Sequence, residues 1–301
     1  MKNTLIVIPG PTGVGKTRFA IDLACRLGCE IISCDSRQFY REMKIGTAAP
    51  SVEELERVRH HFIGFLSVID YYSISRFERD VLSLLPGLFK KNPVAIMTGG
   101  SMLYMDAVCR GMDDIPDTDP AVREKYADIY SREGISGLRI ALKLLDPVYY
   151  SKVDLHNHRR LLRALEITES TGRPYSSFLT AQVRERDFRI IWAGLTRSRN
   201  ELYSRIDSRV DLMMKNGLED EAFSLRHHKG LNALNTVGYR ELFRWFDGEI
   251  TREEAVMQIK SNTRRYARKQ ITWWNRDREI RWFDASGEEM MVSWIEDRLS
   301  D

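Results

Sequence analysis

The chain has 301 residues, of which 43% are hydrophobic and 30% charged, and its formal net charge is only +3. This composition is typical of a globular protein and excludes a disordered or membrane-embedded chain, while the length allows one large domain or two. The first apolar stretch, Leu5–Ile8, is too short for a signal peptide or a membrane span, and the cysteines include no Cys-x-x-Cys pair. We therefore expect a cytoplasmic protein with reduced cysteines, no membrane partner and no need to assemble beyond a monomer.

The first predicted strand, Thr4–Ile8, leads into a glycine-rich loop that closes on Lys16 and Thr17. The loop follows the pattern G-x-x-x-x-G-K-[ST], and the amphipathic segment after it predicts a helix, which is the context in which this pattern binds phosphate. Glycines let the backbone wrap around an anion, Lys16 adds a positive charge, and the Thr17 hydroxyl can bind Mg²⁺. A glycine turn without a ligand is the alternative. We predict that a di- or triphosphate is bound by Gly10, Pro11, Thr12, Gly13, Val14, Gly15, Lys16 and Thr17.

Strand and helix patterns alternate over roughly the first 110 residues. Strands are predicted at Thr4–Ile8, Glu30–Cys34 and Pro93–Met97, and helices at Thr17–Leu27, Val52–Arg59, Ile74–Lys91 and Ser101–Cys109. This alternation predicts an α/β fold with a parallel, P-loop NTPase-like sheet flanked by helices, whose ligands bind at the carboxyl ends of the strands. Two polar segments, Asp35–Gln38 and Thr98–Ser101, follow predicted strands. We expect both segments to lie near the glycine loop.

A turn-rich acidic segment, residues 113–120, interrupts this alternation. Asp119 as N-cap and Pro120 at the first helical position predict a helix start, and only helical patterns follow until a strand-like segment at Phe188–Leu195. We therefore predict an all-helical insertion domain within the α/β core. Its range is 115–186, and the core with its basic C-terminal helices comprises 1–114 and 187–301.

Positive charge is concentrated near the C-terminus. A capping box, Thr251-x-x-Glu254, predicts the start of a long helix. Between positions 260 and 281 there are eight basic residues and two acidic ones, and Trp273 and Trp274 lie among them. A basic helix is often only a solvated surface, but interleaved aromatic residues favour a polyanionic partner such as nucleic acid.

Asp35 lies at the end of the second predicted strand, where a side chain faces the ligand side of the sheet. A carboxylate there can accept a proton from a nucleophile beside a bound diphosphate, or it can simply cap a turn. The amide of Gln38 suits bidentate recognition of an adenine edge. A kinase or NTPase would need an aspartate after the third strand to hold Mg²⁺, whereas the chain reads Thr98-Gly-Gly-Ser101 there.

An ordered series of motifs resembles the tRNA dimethylallyltransferase family, also called tRNA isopentenyltransferases. The motifs, which span about residues 5 to 283, are Gly10-Pro-Thr-Gly-Val-Gly-Lys-Thr17, Asp35-Ser-Arg-Gln38 with Tyr40, Ile45-Gly-Thr-Ala48, His60-His61, Gly99-Gly-Ser-x-Leu-Tyr104, Arg160-x-x-Arg163-Ala-Leu-Glu166, Val237-Gly-Tyr-Arg240 and Lys269-Gln-Ile-Thr-Trp273. One motif alone is weakly specific, whereas their order is highly specific. The sequence ends at Asp301 without the zinc finger of eukaryotic members, so the resemblance is to the bacterial type.

The resemblance implies that the glycine loop holds dimethylallyl diphosphate rather than ATP. The dimethylallyl group would pass to N6 of the adenosine 3′-adjacent to the anticodon, in tRNAs that read codons beginning with U, and diphosphate would be released. Asp35 would act as general base, and Lys16 with Mg²⁺ held partly by Thr17 would stabilise the leaving group. Ser101 stands where the family usually has threonine, and Arg209 matches the family arginine expected at the diphosphate.

The resemblance also implies contacts with the anticodon stem-loop of tRNA, whose target base must leave its stack. Near Asn157 the chain departs from the family's His-Pro-Asn-Asp, which makes a backbone contact there less secure. The implied tRNA-binding residues are Asp35, Ser36, Arg37, Gln38, Ser101, Arg123, Arg159, Arg160, Leu161, Leu162, Arg163, Asn235, Thr236, Val237, Gly238, Tyr239, Arg240, Arg268, Lys269, Gln270 and Trp273.

Three other functions stay open at this point. An enzyme of the same fold could prenylate free AMP or ADP, but a mononucleotide needs neither a helical insertion nor a basic, tryptophan-bearing helix. A small-molecule or nucleotide kinase lacks its metal-binding aspartate. A noncatalytic RNA-binding protein would have no reason to retain Lys16, Thr17 and Asp35 together.

Overall fold

The computed structural model describes residues 2–113, 115–116, 118–180 and 184–300. The chain divides into a larger unit, which runs up to Cys109 and resumes at Glu185, and a smaller unit, Arg110–Arg184. The predicted boundary residue Asp114 and residues 181–183 of the predicted insertion lie outside the described residues.

Within the described residues, the larger unit contains a six-stranded parallel sheet with the order β3-β2-β4-β1-β5-β6. The strands are β1 (Thr4–Ile8), β2 (Ile31–Ser33), β3 (His60–His61), β4 (Val94–Thr98), β5 (Arg189–Thr196) and β6 (Arg281–Asp284). In the register of the central strands, Ile6 of β1 lies opposite Ile96 of β4 and Ile191 of β5. The prediction of an α/β fold with a parallel sheet is confirmed.

Helices make up most of the rest of the described chain. They are α1 (Lys16–Leu27), α2 (Val52–Arg57), α3 (Ile74–Lys91), α4 (Met102–Arg110), α5 (Pro120–Leu145), α6 (Pro147–Tyr150), α7 (His158–Thr171), α8 (Arg199–Lys215), α9 (Leu218–Ser224), α10 (Tyr239–Phe246), α11 (Arg252–Trp274) and α12 (Glu288–Ser300). Short 3-10 helices lie at Tyr175–Phe178, Arg226–His228 and Asn232–Leu234. None of the helices in the described ranges is both long enough and apolar enough to cross a membrane.

The sheet is covered on both faces, which explains why its central strands read as continuous apolar runs rather than alternating ones. Successive residues of β1 point to opposite faces. Leu5 and Val7 pack with α3, whereas Ile6 and Ile8 pack with α1 and α12. Two edge strands, β3 and β6, were not predicted, because His60–His61 has only two residues and Arg281–Asp284 only four, with a charged residue at each end.

The smaller unit has its own core, formed by α5 and α7 around Tyr126, Leu138, Leu142, Leu161, Ala164 and Leu165. Asp119 caps α5 as predicted, since its side chain accepts a hydrogen bond from the Ala121 N–H and Pro120 is the first helical residue. Inside α5, Gly134 has φ 62° and ψ −157°, so two helical segments meet at a kink there. These helices enclose an apolar core within the smaller unit itself.

Candidate active site

The glycine loop connects the buried strand β1 to α1, and two of its glycines have left-handed backbone angles that disfavour any other residue. Gly13 has φ 86° and Gly15 has φ 114°. A Cβ atom on Gly13 would also lie 3.0 Å from Ile206 Cγ1 of α8. The loop is closed by Lys16, whose Nζ donates to the carbonyls of Gly10 at 2.6 Å and Pro11 at 3.0 Å.

Burial and a neighbouring cation make the ammonium group of Lys16 unusually acidic. Loss of solvation lowers the pKa of Lys16 to about 7, Asp35 opposes this shift, and Arg209 adds to it. Burial also lowers the pKa of Arg209, while Asp35 opposes that shift too. Two half-buried cations close to one carboxylate form a site that an added anion would stabilise.

Three arginines hold the glycine loop from the side of α8. Arg197 Nε donates to the Val14 carbonyl at 2.8 Å, and Arg205 Nε donates to the Gly13 carbonyl at 2.9 Å. Arg209 Nη2 donates to the Thr12 hydroxyl at 2.5 Å, and the Nε of Arg209 is buried without a hydrogen-bond partner among the described residues. An unpaired buried donor of a cationic group is suited to an oxyanion.

Arg197 and Arg205 were missed by the sequence analysis. Arg205 precedes Arg209 by four residues on α8, so the two lie on the same helical face. That spacing could have indicated that Arg205 lies at the glycine loop beside the predicted Arg209. Arg197 precedes α8, and no local pattern connects it to Val14.

Two cavities meet at the site. The first has a volume of about 540 Å³ and is lined by Thr12, Gly13, Gly15, Lys16, Thr17, Asp35, Gln38, Gly99, Gly100, Arg205, Arg209 and others. The second has a volume of about 310 Å³ and is lined by Asp35, Ser36, Arg37, Ser101, Val210, Met213, Asn235, Thr236, Val237, Gly238, Arg240 and others. Thr12, Asp35 and Arg209 belong to both linings. A carboxylate therefore lies between the cationic loop and a second, partly apolar compartment.

Asp35 and Ser101 lie together because the ends of β2 and β4 approach closely. The Cys34 N–H donates to the Thr98 carbonyl at 2.7 Å, and the Ser101 N–H donates to the Cys34 carbonyl at 3.1 Å. A Cβ atom on Gly99 would lie only 2.0 Å from the Cys34 carbonyl oxygen, so this approach requires glycine at position 99.

The side chains at this junction are partly engaged with the backbone. Oδ1 of Asp35 accepts a hydrogen bond from the Arg37 N–H at 3.1 Å. The Ser101 hydroxyl accepts from the Ser36 N–H at 2.8 Å and donates to the Ser36 hydroxyl at 3.0 Å. One oxygen of Asp35 thus caps a turn while the residue also lines both cavities. A turn cap and a proton acceptor are therefore compatible interpretations of Asp35.

Gln38 lines the first cavity, but its amide is engaged within the protein. Nε2 donates to the carbonyls of Thr47 at 3.2 Å and Ala48 at 3.1 Å, and Oε1 accepts from the Ser33 hydroxyl at 3.2 Å. Ala48 has φ 49°, an unusual value for a residue other than glycine. The predicted recognition of an adenine edge by Gln38 would require these hydrogen bonds to be exchanged.

Glu221 of α9 fixes one wall of the second cavity and was not predicted. Its carboxylate accepts hydrogen bonds from the N–H groups of Lys44 and Ile45, both at 2.8 Å, and of Gly46 at 2.9 Å. The Tyr239 hydroxyl donates to the same carboxylate at 2.6 Å. Glu221 thereby connects residues 44–46 with the start of α10.

Three residues predicted to contact tRNA have wholly buried side chains, and their contact with tRNA stays a prediction. Leu161 belongs to the core of the smaller unit, Tyr239 packs against Gly46, and Gln270 accepts a hydrogen bond from Thr12 of the glycine loop. The motif pattern does not show whether a side chain points into the core or outward.

The other predicted tRNA contacts fall into three groups. Residues 235–238 and Arg240 line the second cavity with Ser36 and Arg37. In the smaller unit, Arg123, Arg159 and Arg160 are exposed, whereas Leu162 and Arg163 are half-buried. On α11, Arg268 and Lys269 are exposed, and Trp273 donates through Nε1 to Asp106 at 2.9 Å.

A family model described as IPP transferase matches residues 38–277. The chain is 52% identical to a tRNA dimethylallyltransferase 1 of Bacteroides fragilis, over 97% of each chain, and 54% identical to a tRNA dimethylallyltransferase 2 of Porphyromonas gingivalis, over 96% of this chain and 97% of that protein. A crystal structure of a tRNA isopentenylpyrophosphate transferase from Bacillus halodurans has a TM-score of 0.72 at 33% identity, covering 99% of this chain and 97% of that one. A eukaryotic dimethylallyltransferase structure, at 24% identity, has a TM-score of 0.83 over 99% of this chain and 80% of that one, and supports the fold. These findings confirm the resemblance drawn from the motifs: the chain belongs to the IPP transferase family of enzymes.

Proposed function

We propose that this protein transfers the dimethylallyl group of dimethylallyl diphosphate to N6 of the adenosine 3′-adjacent to the anticodon, in tRNAs that read codons beginning with U. The observation that carries the proposal is the position of Asp35, which lines both cavities where they meet beside Thr12 and Arg209. One cavity suits a diphosphate and the other an extruded base. Relatives named as tRNA dimethylallyltransferases support the same reaction.

The first cavity holds the diphosphate in this proposal. Lys16 and Arg209 are half-buried cations, and the buried Nε of Arg209 has no hydrogen-bond partner in the described part of the chain. Arg205 lies beside the loop as a third cation. Negative charge that grows on the leaving diphosphate is stabilised by these fixed donors without further reorganisation.

The transfer forms a bond between N6 of adenine and the allylic carbon, and it breaks the bond between that carbon and the diphosphate oxygen. The electron pair of the broken bond leaves with the diphosphate. Asp35 accepts the proton of the exocyclic amine, for which a carboxylate within hydrogen-bond reach suffices. An allylic carbon tolerates positive charge, so the amine need not be deprotonated in advance.

Magnesium is the cation we propose for this site. The described residues contain no group of three or more His, Cys, Asp or Glu side chains that could hold a metal by themselves. Mg²⁺ commonly binds through few protein oxygens together with substrate phosphates and water, and Thr17 offers a hydroxyl in the lining of the first cavity. When bound there, the ion supplies positive charge to the diphosphate.

We propose that the anticodon loop approaches the second cavity, where Arg37, Arg240 and residues 235–238 line the wall. The exposed Arg268 and Lys269 of α11 would meet the phosphate backbone, as would Arg123, Arg159 and Arg160 of the smaller unit. We expect the enzyme to act as a monomer in the cytoplasm.

The proposal is tested by incubating the protein with Mg²⁺, labelled dimethylallyl diphosphate and either an unmodified anticodon stem-loop RNA or AMP. The products are then digested and their nucleosides separated. Dimethylallyl-adenosine from the RNA alone is the expected result. Label on AMP alone would assign the enzyme to mononucleotide prenylation, and ATP hydrolysis without any transfer would contradict the role of Asp35.

A further inference from the structure

Gln270 is a wholly buried amide that connects two different loops of the site. Its Oε1 accepts a hydrogen bond from the Thr12 N–H at 2.8 Å. Its Nε2 donates to the Gly100 carbonyl at 2.8 Å. Although it borders the first cavity, the residue has no exposed surface, so replacing the amide would leave polar groups of both loops unpaired.

The two loops carry the two halves of the proposed chemistry. Thr12 belongs to the glycine loop, and its hydroxyl accepts a hydrogen bond from Arg209. Gly100 lies beside the general base, since a Cβ atom placed on it would be 2.8 Å from Gln270 Nε2 and 3.4 Å from Asp35 Oδ2. A shift of the Gln270 amide would therefore change the spacing between the diphosphate site and Asp35.

Gln270 also lies on the helix that carries the proposed tRNA-binding charges. Arg268 and Lys269 precede it directly on α11 and are exposed. Tyr266, one turn earlier, donates its hydroxyl to the same Gly100 carbonyl at 2.9 Å. One short stretch of α11 therefore presents cations outward while it holds Gly100 and the glycine loop on its inner side.

We propose that Gln270 is a positioning residue that holds Thr12 and Gly100 at the spacing required for transfer, and that it does not contact tRNA. This proposal deepens the function proposed above and rests on it. It assigns to α11 a second task beside RNA binding, namely alignment of the diphosphate with Asp35.

The first test compares Gln270→Met with Lys269→Ala, an exposed neighbour on the same helix. Gln270→Met should lower kcat about 10- to 100-fold and raise the KM for dimethylallyl diphosphate, because a small misplacement of reacting groups is costly. Its Kd for the stem-loop RNA should stay within about twofold of the wild type, whereas Lys269→Ala should weaken RNA binding. Weaker RNA binding by Gln270→Met with unchanged kcat would overturn the proposal.

A second variant gives a readout that a purely structural role would not move. In Gln270→Glu, a protonated carboxyl group can accept from Thr12 and donate to Gly100, whereas an ionised one would repel the Gly100 carbonyl. The ratio of the variant's kcat to that of the wild type should therefore rise as the pH falls. Asp35, Lys16, Tyr266 and Arg209 line the same cavity as residue 270 in both proteins, so the wild type measured at each pH is the reference. A ratio that does not change with pH would contradict the proposal.

Failure of this proposal can be distinguished from failure of the proposed function. If the wild type transfers the dimethylallyl group and both variants match it, the positioning role falls and the function stands. If the wild type transfers nothing to RNA, the proposed function falls. In that case the effect of Gln270 on the glycine loop is tested by the affinity for inorganic diphosphate. Equal affinity in the wild type and Gln270→Met would refute this effect. If Gln270→Met does not fold, the pH dependence of Gln270→Glu decides.

Discussion

The two cavities of the site are built in different ways. The first includes one contiguous segment, residues 12–18 of the glycine loop and α1, which places backbone groups, Lys16 and Thr17 around a space, and distant residues such as Asp35 and Arg209 complete it. The second is enclosed by segments that are far apart in sequence, including residues 235–238 and the wall fixed by Glu221. A local motif therefore supplies the backbone and the lysine of the anion site, whereas a compartment for a base depends throughout on long-range contacts.

The largest effect is expected where the cavities meet. Asp35→Asn keeps the shape of the side chain but removes the proton acceptor, so kcat should fall by about 10²- to 10⁴-fold. Binding of dimethylallyl diphosphate and RNA should change little. Single-turnover transfer with both substrates saturating measures this, and a turnover equal to that of the wild type would exclude Asp35 as the base.

A substitution confined to the first cavity should separate the two halves of the site. Lys16→Ala removes a half-buried cation from the glycine loop, so kcat/KM for dimethylallyl diphosphate should fall about 100-fold, since several kcal/mol of charge stabilisation is lost. The Kd for stem-loop RNA, measured without diphosphate, should be unaffected. A parallel loss of RNA affinity would show that the cavities do not function separately.

Substitution of Glu221 should destabilise the wall of the second cavity. The Glu221 carboxylate accepts hydrogen bonds from three backbone N–H groups and from the Tyr239 hydroxyl. Glu221→Gln removes one of the two acceptor oxygens, so the free energy of unfolding should fall by about 1–3 kcal/mol. Denaturant unfolding gives this value. Because this wall borders the second cavity, the KM for RNA should rise as well.

Tyr239→Phe provides the matched control for that variant. It removes only the hydroxyl donor, so it should cost less, about 1 kcal/mol. In the double variant the loss of unfolding free energy should be smaller than the sum of the two single losses, because both changes break the same hydrogen bond. Strict additivity would mean that Glu221 and Tyr239 stabilise the wall independently.

The smallest effect is expected on the surface of α11. Lys269→Ala removes one exposed cation, so RNA affinity should fall a few-fold and the slope of log Kd against log salt should decrease by about 1. Titrations at several salt concentrations measure the slope. An unchanged slope would place Lys269 outside the RNA interface.

The same contrast explains which parts could be predicted from the sequence. The glycine loop, the central strands and α3 follow from contiguous patterns, and α3 was predicted with the bounds that the structure gives. Asp35 and Ser101 were found because polar residues after parallel strands meet at one edge of the sheet.

What the sequence could not provide were partners that only the fold brings together. Glu221 is separated from Lys44 by 177 residues and Gln270 from Thr12 by 258, and neither pair has a local pattern. The motif containing Gln270 was recognised, but the direction of its side chain was not. Motif membership indicates that a residue matters, while burial decides what it contacts.

The need for glycine at position 99 limits which sequences can form this site. A Cβ atom there would collide with the Cys34 carbonyl at 2.0 Å, and both partners are main-chain segments that a change of rotamer cannot relieve. A saturation library at this codon, selected for transfer activity, should return glycine alone. Neighbouring positions on α4 should accept several amino acids. Evolution of this enzyme is thus tightly constrained at position 99, because the chain segments that follow β2 and β4 leave no space there for a Cβ atom.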